Sequence, residues 1–296
     1  MLTSPKGGSE ILLEELQKRV DTSPVNIILS TCDARLLHPA KPNILWEHLS
    51  YDQAGVTGLA DADFVSRLDA IVFVSHWQHE QFRKRVNLPG DKCFVIQNCI
   101  SPAPDHDKPQ EVGLIYTSMP NRGLSLLAQA YPLMRNKVPL TVISGTKIYG
   151  KKFHETTGHK FNPLYRQLKA LGAAHYNYLP NEEVREQLTK HHILAYPSVF
   201  EETSCLSAIE ALSYGLKVVT TNFGALPETC GVWADYVPLG EPSEFVKRYA
   251  QALDDAVDAW QPNTDQVQHY RKYWTWDARP QWESLIGRYR TQTLAA

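Results

Sequence analysis

Short runs of β-branched and aromatic residues alternate along the chain with longer amphipathic stretches. The runs NIILST, NILWEH, AIVFVS, CFVIQN, VGLIYTS, LTVISG, HILAYPS and KVVTTN read as strands. Parallel neighbours require a crossover that covers a sheet face, so this rhythm predicts an α/β chain of parallel sheets with helical crossovers. One segment breaks it. NCISPAPDHDKPQEVG, residues 98–113, carries prolines and mixed charges where a period would be, and a new strand opens directly after it. It reads as a linker between two doubly wound halves, with four of the strands on each side.

The expected organisation is an abbreviated first domain over 1–105, a second domain over 106–268, and a terminal segment, 269–296, packing back across the junction. That terminal segment holds Trp274, Trp276 and Trp282 and an amphipathic helix after Pro280, and such rings read as packing anchors. Ligands of doubly wound sheets bind at the carboxyl ends of the strands, here the cleft between the halves.

Candidate chemistry concentrates in HILAYPSVFEETSCLSAIEALSYGLKVVTT. A strand ends at Pro197, and a helix is expected from about Ser204 to Tyr214, with Gly215 as its left-handed C-terminal residue. Ser204 is the expected N-cap. The N–H groups of Cys205, Leu206 and Ser207 then form an anion site at the positive end of a helix dipole. Glu210 lies roughly 9 Å along the axis from the cap, about the span from a diphosphate to the ribose of a nucleotide. Glu202 precedes the cap, on the side where a sugar attached to the diphosphate would lie. The spacing alone fits equally well two solvated loop acids, Glu201 and Glu202, and a helix-surface acid, Glu210.

Composition narrows the function classes. The 296 residues are 43% hydrophobic, enough for real cores, and 30 basic against 32 acidic residues give a formal charge of -2 with no polybasic face. The cysteines, Cys32, Cys93, Cys99, Cys205 and Cys230, are odd in number and show no metal-ligand spacing, so reduced thiols and a cytoplasmic location are expected. No apolar run approaches the roughly 20 residues of a transmembrane helix, and MLTSPKGGSE lacks the apolar core of a signal peptide. Any membrane contact is expected to be peripheral.

The segment AYPS through ETSCLSAIEALSYGLKVVTTNFGALPE resembles the donor-binding region of retaining glycosyltransferases of the GT-B fold, family 4 type, also described as glycosyl transferases group 1. Glu202 and Glu210 match the family's E-x7-E signature, with Glu201 an extra residue before it. The resemblance implies that Glu202 contacts the donor sugar and Glu210 the ribose. FVSHWQHEQFRKRVNLPGDKCFVIQNCI is similar to the family's last N-domain unit, with Cys99 replacing the usual glycine. YTSMPNRGLSLLAQAY resembles the opening of the second domain, where Arg122 takes the position of the basic residue that binds the donor diphosphate. Its planar fork suits phosphate oxygens. Many relatives carry a second basic residue where Thr117 and Ser118 stand. Ser118 is therefore a candidate donor contact, and Lys147 the candidate for the missing charge.

Other parts of the resemblance are more local. Gly7 and Gly8 resemble the family's Gly-Gly loop near the donor phosphate or the acceptor, although the strand that normally precedes it is nearly absent. His48, directly after a strand in NILWEHLSYDQ, matches relatives that hold the donor sugar with a histidine there. HYNYLPNEE resembles the loop that frames the nucleotide base, with Leu179 as the contact, and reads equally as an ordinary loop with Asn181 as N-cap.

The resemblance thus implies a GT-B fold with a shortened N-terminal domain, and transfer of a sugar from a nucleoside diphosphate donor to an acceptor hydroxyl with retention. Arg122 and the helix start at Ser204, Cys205 and Leu206 would stabilise the leaving diphosphate, so no metal and no cofactor are expected. Asp61 and Asp63 have Asp-x-Asp spacing but read as capping charge before a helix. Glu202, Arg122 and His48 are the expected catalytic set. A nucleotide-sugar epimerase, a phosphorylase and a non-catalytic nucleotide-sugar-binding subunit remain as alternatives. The base, the sugar, the acceptor (glycan, lipid, small molecule or modified DNA) and the oligomeric state are not written in these motifs.

Overall fold

The computed structural model describes residues 7–147, 150–274 and 278–290, so Trp276 lies outside the described residues. In chain order the first elements are α1 (Gly8–Gln17), β1 (Asn26–Leu29), β2 (Asn43–Glu47), α2 (Ala62–Ser66), β3 (Ala70–Phe73), α3 (His76–Arg83) and β4 (Cys93–Val95). After the linker come β5 (Leu114–Thr117), α4 (Leu124–Ala130), β6 (Leu140–Ile143), α5 (Lys151–Thr157), α6 (Asn162–Ala170), β7 (Ala174–Tyr176), α7 (Asn181–Lys190) and β8 (Ile193–Tyr196). The chain continues with α8 (Leu206–Ser213), β9 (Lys217–Thr220), α9 (Leu226–Cys230), β10 (Ala234–Tyr236), α10 (Pro242–Ala259), α11 (Thr264–Tyr273) and α12 (Arg279–Arg290).

These elements form two compact units. The first is a four-stranded parallel sheet in the order β1-β2-β3-β4, with Ile27 paired to Ile44, Leu45 to Ile71 and Val72 to Phe94. Every residue of β2 and β3 is buried, which is why Ile44–Trp46 and all of β3 read as continuous apolar stretches. Gln78 fixes the far end of this sheet: its side chain accepts from Val74 N–H at 2.8 Å and donates to the Glu47 and Leu49 carbonyls at 3.2 and 2.8 Å. The same unit includes Glu202–Ser204 and the described residues from Tyr273 onward. There Trp282 meets Trp46 edge-on with centroids 4.7 Å apart, and the Tyr289 hydroxyl donates to the Asp69 carbonyl at 2.9 Å.

The second unit is a six-stranded parallel sheet in the order β10-β9-β8-β5-β6-β7. Chain direction across the sheet reverses between β5 and β8, which makes that pair the topological switch point of a doubly wound fold. Two of its strands, β7 and β10, are absent from the sequence reading. Each is three residues long at a sheet edge, and Ala174 and Tyr176 are exposed, so neither shows an apolar run.

The units change over between Ser101 and Pro102 and between Lys272 and Tyr273, each four residues from the expected 105 and 268. Arg271 donates to Asp105 at 2.5 Å and to the Pro104 carbonyl at 3.0 Å, fastening the linker to α11. Among the described residues no helix is long and apolar enough to cross a membrane.

Candidate functional site

The switch point of the six-stranded sheet is shaped by close backbone contact. After β5 the chain turns through Gly123 at φ 100°, where an added Cβ would stand 1.9 Å from the Pro197 carbonyl oxygen at the end of β8. Only glycine permits that approach. Ser207, in the first turn of α8, donates to the Thr117 carbonyl at 2.6 Å and so holds the start of α8 over the end of β5. Ser118 Oγ lies 3.3 Å from the Tyr196 hydroxyl, joining the ends of β5 and β8.

The cap of α8 differs from expectation. Cys205, not Ser204, occupies the N-cap position, and no side chain caps the helix. Ser204 Oγ is instead buried without a protein partner, because the three residues before the cap belong with the four-stranded unit, where Thr203 Oγ1 donates to the His48 carbonyl at 2.7 Å. The first N–H groups of α8, beginning at Leu206, therefore carry the positive end of the dipole without a side-chain anion of their own. Gly215 ends the α8 turn at φ 74°, in the left-handed region.

Arg122 stands in the turn after β5 with its guanidinium 3.5 Å from the centroid of the Phe200 ring. The loop that carries Phe200 is tied down by Ser198, whose hydroxyl donates to the Phe200 carbonyl at 3.1 Å and accepts from Phe200 N–H at 3.3 Å. Thr221 Oγ1 in turn donates to the Ser198 carbonyl at 2.8 Å. Glu210 is half-buried on α8, and Arg185 of α7 reaches its Oε1 at 3.4 Å. Burial pushes the Glu210 carboxyl above its ordinary range, and the Arg185 charge opposes that shift. Arg185 is a residue that the sequence reading missed, since NEEVREQLTK reads as a solvated helix face.

The remaining candidates are more scattered. Lys147 is exposed beyond the end of β6, and Leu179 is half-buried between β7 and α7. Pro180 holds the cap position of α7, so Asn181 is its first helical residue and not its cap. Gly8 opens α1, whereas Gly7 groups with the six-stranded unit.

In the four-stranded unit the end of β2 gathers buried polar groups. His48 Nδ1 lies 3.3 Å from Ser30 Oγ, and Ser30 sits at φ 54°, unusual for a residue with a side chain. Burial pushes the His48 imidazole down to about 4, with the Trp46 backbone and the Asn98 side chain pulling the other way, so the ring is neutral near pH 7. Its Nε2 and the Asn98 Oδ1 are both buried. Glu202 is buried at 7% exposure, which separates it from the more open Glu201 and removes it from the class of solvated loop acids. Glu47 is wholly buried, accepts from Leu49 N–H at 2.7 Å, and is pushed up to about 7 by burial. Among the described residues no three His, Cys, Asp or Glu side chains gather in an arrangement suited to a metal ion.

Comparison with known proteins adds family and fold. Residues 111–255 match the family model described as "Glycosyl transferases group 1". The chain is 29% identical over 195 residues to one subunit of the phosphatidylinositol N-acetylglucosaminyltransferase of Homo sapiens, covering 63% of this chain and 38% of that protein. Its counterpart from Arabidopsis thaliana is 26% identical over 220 residues, covering 71% and 46%. The chain thus spans less than half the length of these relatives. Among solved structures, a glycosyltransferase from Rickettsia africae aligns with a TM-score of 0.66 at 12% identity, over 99% of this chain and 84% of the other. Sucrose-phosphate synthase of Thermosynechococcus elongatus aligns at 0.69 and 15%, over 97% and 79%. Anabaena HepE in complex with UDP-glucose aligns at 0.66 and 14%, over 97% and 84%. At these identities the structural likeness speaks to fold, which is that of GT-B glycosyltransferases.

Proposed function

From a chain whose residues 111–255 match the glycosyl transferases group 1 family model, we propose a glycosyltransferase that moves a sugar from a nucleoside diphosphate donor to an acceptor hydroxyl, with retention and without a metal. The observation that carries this reading is the fastening of Ser207 to Thr117 at the β5/β8 switch point, which opens the start of α8 at adjoining strand ends, with Arg122 in the following turn. Helix N–H groups and a guanidinium supply the positive field that a departing diphosphate needs, which is the reason a metal is not required. Glu210 is assigned to the ribose, Glu202 and His48 to the sugar, and Ser118, Lys147, Leu179 and the Gly7–Gly8 turn to secondary donor contacts.

UDP is the donor nucleotide we favour, since HepE is described with UDP-glucose and the pneumococcal O-GlcNAc transferase GtfA with UDP and GlcNAc. The names of the curated relatives suggest N-acetylglucosamine as the sugar and a phosphatidylinositol as the acceptor. The test is incubation of the purified chain with UDP-N-acetylglucosamine and with UDP-glucose, with and without chelator, in the presence of phosphatidylinositol vesicles. UDP release with a glycosylated lipid of retained anomeric configuration supports the proposal. Stabilisation of the fold by donor without any turnover would instead favour a non-catalytic nucleotide-sugar-binding role, and no response to any donor would overturn both.

A further inference from the structure

We infer that the β7 edge of the six-stranded unit is a docking surface for an anionic lipid membrane, with Lys160, Arg166 and Lys169 meeting the headgroups and Tyr176 and Tyr178 entering their layer. This surface goes beyond the donor reading above and does not depend on it.

The formal charge of -2 gives no hint of a basic face, yet sign is separated along the chain. Residues 138–181, from β6 through α5 and α6 to the loop after β7, hold six basic residues, Lys147, Lys151, Lys152, Lys160, Arg166 and Lys169, and one acid, Glu155. Residues 217–246, from β9 through α9 and β10 into α10, hold four acids, Glu228, Asp235, Glu241 and Glu244, and one base, Lys217, which pairs with Asp235. Sheet order turns this pattern into geometry, because β7 and β10 are opposite edges. Five strand spacings separate them, about 24 Å. That exceeds the ~8 Å Debye length at physiological ionic strength, so the acidic edge does not cancel the field at the basic one.

The basic groups of this edge are not spent on the protein itself. Lys160, Arg166 and Lys169 are exposed, and no ion pair among the described residues involves them. Lys190 and Lys247 of the same unit, by contrast, pair with Glu186 and Glu244. Arg166 and Lys169, three positions apart, share the outer face of α6, while Leu168 between them is fully buried. Lys160 stands in the turn Gly158–Phe161 that leads into that helix. A face that only keeps a helix soluble mixes both signs; this one carries a single sign. Beside it Tyr176 closes β7 at 40% exposure, and Tyr178 follows at 38%. Tyrosine joins an apolar ring to a polar tip, which suits the boundary between headgroups and acyl chains. A single-stranded nucleic acid is held along a continuous basic groove. Here the charge lies on the outward side of a helix and its leading turn, the form that a planar anionic surface meets.

The test is flotation of the full chain with vesicles of phosphatidylcholine alone and of phosphatidylcholine mixed with phosphatidylserine, across a salt series. The wild type is compared with Lys160→Gln/Arg166→Gln/Lys169→Gln and with a control that removes the same charge elsewhere, Lys84→Gln/Lys190→Gln/Lys247→Gln. All six positions are exposed, so both variants should fold, which melting temperatures check. Each basic residue near such a surface is worth about fivefold in partitioning, so the edge variant should bind phosphatidylserine vesicles roughly a hundredfold more weakly, with the control within about threefold of the wild type. Tyr176→Ser/Tyr178→Ser should weaken binding without changing its salt slope, since no charge is removed. A wild type that ignores phosphatidylserine vesicles at low salt, or equal losses in the edge variant and the control, would overturn the inference. So would a single-stranded oligonucleotide bound more tightly than the vesicles through the same three residues. UDP titration of the wild type keeps the two readings apart: vesicle binding without UDP binding overturns the donor reading alone, and UDP binding without vesicle binding overturns this one alone.

Discussion

The Arg185 guanidinium on α7 reaches Oε1 of Glu210 on α8 at 3.4 Å, from both Nε and Nη2. The pair couples the helix that follows the proposed base-framing loop to the acid assigned to the ribose. Burial raises the Glu210 pKa and Arg185 opposes it, so Arg185→Ala should raise it further. A protonated Glu210 accepts ribose hydroxyl protons less well than a carboxylate. The expected outcome is a loss of UDP affinity of about fivefold or less near neutral pH, given the modest worth of partly exposed pairs, with the acid limb of the binding profile moved to higher pH. Titration of UDP across pH checks this, and an unchanged limb would remove Arg185 from the donor site.

Arg122→Ala and Glu202→Ala address the proposed chemistry directly. Removing one preorganised group at a developing charge typically costs a hundredfold or more in turnover. Arg122→Ala should lower both donor affinity and turnover. Glu202→Ala should mainly lower turnover, because its assigned partner is the sugar and not the nucleotide. Steady-state kinetics with UDP release as the readout separates the two, provided that melting temperatures show both variants folded.

Much of this architecture is legible in the sequence because buried parallel strands are continuous apolar runs. NILWEH and AIVFVS announce β2 and β3 for that reason, and both are buried throughout. β7 and β10 are illegible because short edge strands bury little and carry no run. The cap of α8 illustrates a different limit. Serine is the commoner N-cap, but Ser204 goes with Thr203 to the four-stranded unit, and the local rule yields to a long-range hydrogen bond on His48. Glu47 and Asn98 escape notice for a related reason. A single acid closing NILWEH looks like a strand-end charge until the sheet and Gln78 are in place around it.

Gly123 is the position where one methyl group tests the switch point. At φ 100°, with the Pro197 oxygen 1.9 Å from an ideal Cβ, Gly123→Ala combines backbone strain with a collision that no rotamer relieves. A destabilisation of about 2–4 kcal/mol is expected, together with weakened UDP binding, because Arg122 and the Pro197–Phe200 loop must separate. Denaturant unfolding and UDP titration of the same preparation measure both effects. Loss of stability with unaltered UDP affinity would detach this contact from the proposed donor site.

Glu47 gives the chain a pH-dependent stability whose sign is fixed by its environment. Its carboxyl is pushed from 4.5 to about 7 by burial, with the Leu49 and His48 backbone groups opposing. Between these values the folded chain keeps a proton that the unfolded chain releases, so stability falls as pH rises through this window. The cost is absent well below 4.5 and fully present above about 7, where it amounts to roughly 3 kcal/mol. Glu47→Gln keeps an oxygen to accept from Leu49 N–H and removes the titration. It should therefore raise the denaturation midpoint at about pH 8 and change it little at about pH 4. His48 acts in the opposite sense: its depressed pKa of about 4 costs stability only as pH falls below 6.5, so the two contributions are separable by the window in which each appears. A Glu47→Gln variant that gains nothing at the higher pH would show that the carboxylate is accommodated there by a cation or water, and that burial does not keep it protonated.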